Sequence, residues 1–179
     1  MYGIVNVAIK DFAVANFGPE KWEDIRERSG VNVDFSLTDN PYNDAVTYTL
    51  AKATANEMHL CLDEVLEDFG ESVIQTTHIK YNGFMDSRGS TLKDYLVNLP
   101  NFHNRIMLIY PELTPPEFRV THVAEDSLYV HYISKTKGIR KFVEGYLNGL
   151  VKVFNEPVKV EFLQSKEEGS LQEIFKLSW

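Results

Sequence analysis

The period at which apolar residues recur changes near residue 117, and no other feature limits the fold of this chain as strongly. Before that point apolar groups return at i, i+3 and i+4, the spacing of one helix face. After it they alternate, as in half-buried strands, and the alternation is interrupted by a single strongly amphipathic helical stretch. Helices first, then β–β–α–β–β, is an α+β fold with a helical N-terminal lobe.

Ile4, Val7, Ala8, Phe12 and Ala15 define a first helix that Gly18 can end, and Pro19 suits the first turn of a second one through Trp22 and Ile25, ended at Gly30. Residues 31–41 read as a loop, and helices follow around 43–55, 60–69 and 71–79, with Gly70 as the break between the last two. A second loop covers 81–90. Leu92, Tyr95, Leu96, Leu99, Phe102, Ile106, Ile109 and Leu113 then continue one apolar stripe; Pro100 lies inside it and predicts a kink or two abutting helices. Runs 117–123 and 128–134 predict a hairpin around Glu125-Asp126-Ser127, 139–154 a helix, and 158–163 with 171–177 a second hairpin around Lys166-Glu167-Glu168-Gly169. With no Gly/Ser linker or repeat, residues 1–179 read as a single domain: a helical lobe over about 1–80 and an α+β lobe over about 91–179.

Composition narrows the roles. Eighteen Lys+Arg against 26 Asp+Glu leave a net charge of −8, which opposes binding to nucleic-acid backbones or anionic membranes. The lone Cys61 excludes an intramolecular disulfide and any zinc site needing two cysteines, and a reducing cytoplasm is the expected location. The first residues lack the basic segment of a signal peptide, and no apolar stretch approaches the ~20 residues of a bilayer span.

Five histidines are the candidates for chemistry. His103 shares the apolar face of Leu99, Phe102 and Ile106, where spacing alone leaves open a core histidine or a metal or haem ligand. With a two-residue turn at Asp126-Ser127, His122 and His131 would be cross-strand partners and could begin a metal site, although no third ligand is evident. His59 and His78 read as helix-surface residues, and Glu64, Glu67, Asp68 and Glu71 as a solvated face. No phosphate loop, His-Glu-x-x-His or Gly-x-Ser-x-Gly occurs, and without Cys-x-x-Cys-His any haem would be held non-covalently.

Several segments together resemble one family. Met1-Tyr2-Gly3-Ile4-Val5-Asn6, Phe69-Gly70-Glu71, Leu99-Pro100-Asn101-Phe102-His103-Asn104-Arg105, Thr114-Pro115-Pro116-Glu117-Phe118 and Tyr132-Ile133-Ser134 are similar, in order and spacing, to H-NOX domains. This is the haem–nitric oxide/oxygen-binding family related to the sensor region of soluble guanylate cyclase. The resemblance implies a haem b cofactor between the two lobes, with His103 as proximal iron ligand and Pro116 packed on the haem, holding it out of plane. Tyr132 and Ser134 match a Tyr-x-Ser-x-Arg propionate motif, and Thr136 stands where the arginine belongs, so propionate binding should be weaker unless Lys135, Lys137 or Arg140 compensates. Phe142 falls where oxygen-binding members place a tyrosine, with Val5 and Val73 as further apolar wall and Tyr146 one turn on.

The resemblance therefore implies a bacterial, non-enzymatic sensor of nitric oxide, with carbon monoxide as a further ligand and oxygen disfavoured. Nitric oxide would loosen the Fe–His103 bond and shift the lobes. No effector region follows in the sequence, so the expected output is in trans, to a histidine kinase or a cyclic-di-GMP enzyme. The rival readings are a haem-free pocket for an apolar ligand and a metal enzyme built on His122 and His131.

Overall fold

The structure is a computed structural model and describes residues 3–35, 42–43, 45–80, 89–109, 116–134, 137–163 and 172–179. The side chains at 4, 102, 103, 106, 107 and 109 lie outside the described part, as do most of the loop expected at 81–90 and the turn at 166–169. The described elements are α1 (Gly3–Phe17), α2 (Pro19–Ser29), α3 (Ala45–Met58), α4 (Leu62–Lys80), α5 (Leu92–Ile109), β1 (Glu117–Thr121), β2 (Ser127–Ile133), α6 (Arg140–Phe154), β3 (Lys159–Leu163) and β4 (Gln172–Ser178). This is the α+β order that the change of period predicts.

The break between α1 and α2 is one residue, Gly18. Its φ of 88° is one that a side chain would oppose, and its carbonyl accepts the Trp22 N–H at 3.1 Å to start α2. Trp22 and Ile25 are buried, and Trp22 meets Phe35 edge-on at 4.8 Å. Glu57 of α3 holds Lys21 at 2.8 Å and Arg28 at 2.7 Å and so ties α2 to α3.

Gly70 does not break a helix. α4 runs through it without interruption, because Gly70 serves packing rather than termination. A Cβ on Gly70 would overlap the Phe142 carbonyl oxygen and stand 2.7 Å from the Tyr146 nitrogen; one on Gly145 would overlap the Glu67 carbonyl oxygen. Glu67, Gly70, Glu71 and Ile74 on α4 thus face Phe142, Gly145, Tyr146 and Gly149 on α6, two sets with the same i, i+3, i+4, i+7 spacing. Higher numbers meet higher numbers, so the two helices run parallel, and theirs is the most extensive helix–helix contact described.

The expected solvated acidic face needs a matching correction. Glu67 accepts from Lys141 and Asn148, both at 3.4 Å, and both oxygens of Glu71 accept from Lys152 at 2.6 Å, so two of the four carboxylates fasten α6 to α4. Asp68 sits beside them with its carboxyl pushed up by partial burial and by Glu71, Glu67 and Glu64.

α5 also continues where a division into two helices was one expectation, passing through Pro100 as one 18-residue helix. An interior proline costs roughly 3 kcal/mol. Each fully buried leucine contributes roughly 1.5–3 kcal/mol, and Leu92, Leu96 and Leu99 with Tyr95 are all at most 1% exposed, so burial outweighs the proline.

The four strands form an antiparallel sheet in the order β1-β2-β4-β3. Phe118, Leu128, Val130, Tyr132, Phe175 and Leu177 alternate inward and join one apolar core with α1, α4, α5 and α6. Among the described residues no helix is long and apolar enough to cross a membrane.

Candidate functional site

At the open end of the β1–β2 ladder the last pairs are Phe118–Tyr132 and Glu117–Ile133. Pro116 and Ser134 lie one residue beyond, on either strand, so strand alternation puts both on the face of Phe118 and Tyr132. Three residues singled out by the propionate and proline motifs, Pro116, Tyr132 and Ser134, are therefore brought together. Tyr132 is 2% exposed, and Pro116 and Ser134 are half-buried. The Phe118 ring meets Tyr132 edge-on at 5.2 Å and Tyr146 at 6.0 Å, linking the sheet end to α6.

The apolar candidates come from three helices. Val5 of α1, Val73 of α4 and Phe142 of α6 are all buried in the same core, and Tyr146 packs against it half-buried. The Phe142 main chain is fixed by the close α4–α6 contact, since its carbonyl faces the bare Gly70. Position 103 lies on α5, which packs against β1, but the His103 side chain lies outside the described residues. So do Thr136 and Lys135.

Two residues that periodicity did not single out belong to this corner. Phe118 is one. The other is Glu173, which pairs across the ladder with Tyr132 and so shares its inward face. Partial burial pushes the Glu173 carboxyl up, and Arg140 pulls it partly back. The signal was present as a charged residue in register with Phe175 and Leu177. Arg140 is half-buried and holds its guanidinium 4.7 Å from the Phe162 ring, whereas Lys137 is exposed. Of the two described cations that could stand in for the absent arginine, Lys137 and Arg140, Arg140 is the one coupled to the ladder partner of Tyr132.

His122 and His131 are not cross-strand partners. The connection is longer than two residues: the last pair is Thr121–Tyr129, and His131 stands opposite Arg119. The two rings meet through one hydroxyl instead, Thr121 Oγ1, which lies 2.9 Å from His122 Nδ1 and 2.6 Å from His131 Nε2. His131 Nδ1 also bonds the Gln172 amide. Partial burial, then His122 and Arg119, hold the His131 imidazole below its ordinary range, so it favours the neutral form. Among the described residues no three His, Cys, Asp or Glu side chains come together as a metal-ion site. His78 is exposed on α4; His59 lies just past α3 with a φ of 56° rather than on the helix.

A family model described as haem-NO-binding matches residues 2–162. Soluble guanylate cyclase gcy-31 of Caenorhabditis elegans is 25% identical over 176 residues, which is 97% of this chain and 25% of that protein. Guanylate cyclase soluble subunit beta-2 of Rattus norvegicus is 28% identical over 109 residues, 60% of this chain and 16% of that one. The chain thus spans about a quarter or less of the length of these relatives. Among solved structures, an H-NOX protein from S. oneidensis in the Fe(II)NO ligation state superposes with a TM-score of 0.84 at 14% identity, covering 99% of this chain and 98% of that one. The Fe(II) unliganded H-NOX protein from K. algicida gives 0.79 at 22% identity, covering 99% and 96%. At these identities the likeness to the solved structures is one of fold.

Proposed function

The chain belongs to the haem-NO-binding, or H-NOX, family of haem-based gas sensors, and from that premise we propose that residues 1–179 form one non-catalytic domain that binds haem b and senses nitric oxide. The family match over residues 2–162 carries this reading. The donor set fits the group. Buried Val5, Val73 and Phe142 offer apolar surface for a porphyrin, and the hydroxyls of Tyr132 and Ser134, two residues apart on one face, suit two propionates.

Bound haem would supply a ferrous iron able to take nitric oxide. The chain does the rest. His103 would hold the iron from α5, Pro116 would pack on the macrocycle, and Tyr132 and Ser134 would donate to the propionates. Val5, Val73 and Phe142 keep water out, with Tyr146 at the margin. A change in the hold of His103 would bias two arrangements of the helical and α+β lobes, and a partner that prefers one arrangement reads the difference. We propose a cytoplasmic, bacterial setting and an output in trans to a histidine kinase or a cyclic-di-GMP enzyme, without nucleic acid or membrane. The test is the absorption spectrum of the reduced, haem-reconstituted protein before and after nitric oxide. Absence of a Soret band would overturn the reading and favour a haem-free pocket for an apolar ligand.

Two outcomes follow for the pocket. The reduced wild type in air is expected to form no stable oxygen complex, and Phe142→Tyr to gain one in part. Dioxygen takes up negative charge as a ligand and gains from a hydrogen-bond donor, whereas nitric oxide needs one much less. The rigid main chain at 142 would hold a new phenol in place. A wild type that forms a lasting oxygen complex in air, as distinct from oxidised haem, would point to the Tyr146 hydroxyl as donor, which Tyr146→Phe would abolish.

Thr136→Arg is expected to slow haem transfer to an apo-globin acceptor. A charge-assisted contact to a propionate is worth about 1.5–3 kcal/mol, or roughly tenfold to a hundredfold in rate. No slowing would mean that Lys137 or another cation, such as Arg140, already fills that role, or that the motif is shifted at position 136.

A further inference from the structure

The first turn of α5 is pinned by three separate segments. Glu156, in the link between α6 and β3, accepts the Leu92 backbone N–H through Oε1 at 2.8 Å and the Trp179 indole N–H through Oε2 at 2.5 Å. Leu92 offers one of the donors that a helix leaves without an internal acceptor, and a carboxylate there is favoured by the helix dipole. Beside it, the Lys93 ammonium donates to the carbonyls of Ala124 and Glu125 at 2.8 and 2.5 Å, and lies 4.6 Å from the centroid of the Trp179 ring. Trp179 in turn donates its backbone N–H to the Asp126 carbonyl at 2.8 Å. The β1–β2 turn, the α6–β3 link and Trp179 thus converge on one helix end.

A second cap at the same end has a different character. Thr91 Oγ1 accepts the Asp94 N–H at 3.1 Å, a contact that stays local and ties α5 to no other element. Glu156 therefore combines capping with a long-range tie, its partner Leu92 being 64 positions away in sequence.

We propose that Glu156 is a positioning residue for the iron ligand: by fixing the first turn of α5 it sets the height and tilt at which His103 meets the haem iron. The proposal rests on the sensor reading above. Helical rise puts position 103 about 16 Å along α5 from Leu92, and over that lever a tilt of about 5° moves it by about 1.4 Å. Held at its first turn, α5 would resist displacement of position 103, so that a bond from His103 to bound haem iron would be strained. With the first turn released, α5 could yield and that bond would be less strained.

The experiment compares haem-reconstituted wild type with Glu156→Ala, Glu156→Gln, Trp179→Phe and Thr91→Ala. The readouts are Tm, the Fe–His stretching frequency of the reduced protein, and the share of the nitric oxide complex that keeps His103. Glu156→Ala is expected to raise the frequency and to increase that share several-fold. Glu156→Gln, which keeps one acceptor oxygen, and Trp179→Phe, which removes the indole donor, should shift both the same way by less. They carry the test if Glu156→Ala does not fold. Thr91→Ala should lower Tm and leave both spectroscopic readouts at their wild-type values. Glu156 variants that lower Tm and also leave both readouts unchanged would overturn the proposal and make Glu156 a cap like Thr91. A wild type that takes up no haem would overturn the sensor reading itself, whereas a haem-loaded wild type with indifferent Glu156 variants overturns only the role of Glu156.

Discussion

Gly145→Ala is expected to lower the Tm by roughly 6–12 °C, equivalent to about 3 kcal/mol in a domain of this size. Two opposing effects decide the sign. In an exposed helix interior alanine is favoured over glycine by about 1 kcal/mol, so a free site would be stabilised. Here the new Cβ would overlap the Glu67 carbonyl oxygen and approach the carbonyl carbon at 2.7 Å and Cα at 2.8 Å. Every one of those atoms is main chain, so nothing can rotate aside, and α4 and α6 must separate along their shared face. That separation also draws Lys141, Asn148 and Lys152 away from Glu67 and Glu71. Gly149→Ala is the control. Its Cβ would lie 3.1 Å from the Ile74 Cβ and 3.2 Å from the Glu71 Cα, close enough to need a shift of tenths of an ångström and no more. Thermal unfolding of the two variants side by side checks this, and equal Tm values would disprove the main-chain explanation.

His103→Ala is expected to empty the protein of most of its haem, and imidazole added to the solution to restore it. Loss of a supporting contact to a metal ligand costs about 10–100-fold in affinity, and loss of the chain's own ligand should cost more. Alanine keeps the helix propensity of α5, and the truncation leaves room for a free imidazole. The measurement is haem content per chain after gel filtration, with and without imidazole, followed by the ferrous spectrum. A variant with wild-type haem content and an unchanged spectrum without imidazole would assign the iron to another residue.

Periodicity carries most of the fold, and its failures have a common cause. Apolar spacing locates every described helix and strand to within a few residues, because a face turned to the core must repeat at the pitch of its element. What it misreads depends on a second segment. Gly70 has the sequence character of a stop, and only the Phe142 main chain on α6 makes it a packing site. Glu67 and Glu71 look solvated until Lys141, Asn148 and Lys152 arrive from α6. His122 and His131 fall out of register because the turn is longer than the shortest the sequence allows. At the candidate site, motif resemblance picks out Pro116, Tyr132 and Ser134, which the β1–β2 register does bring together. Glu173 reaches them only through β4 pairing, which no local pattern in β2 announces.

The parallel contact of α4 with α6 also bears on how the chain is made. The ion pairs across it join residues 74 and 81 positions apart. A ribosome adding 5–20 residues per second leaves α4 without its partner for roughly 4–16 s after it emerges. During that interval the Gly70–Ile74 face is bare, and its glycine offers no side chain to shield the helix backbone. The N-terminal helices can pair among themselves meanwhile, but the surface that finally holds the two halves together must wait for the last third of the chain. A translational pause between α4 and α6 would lengthen that exposure, so the intervening coding segment is where slow codons would most favour aggregation.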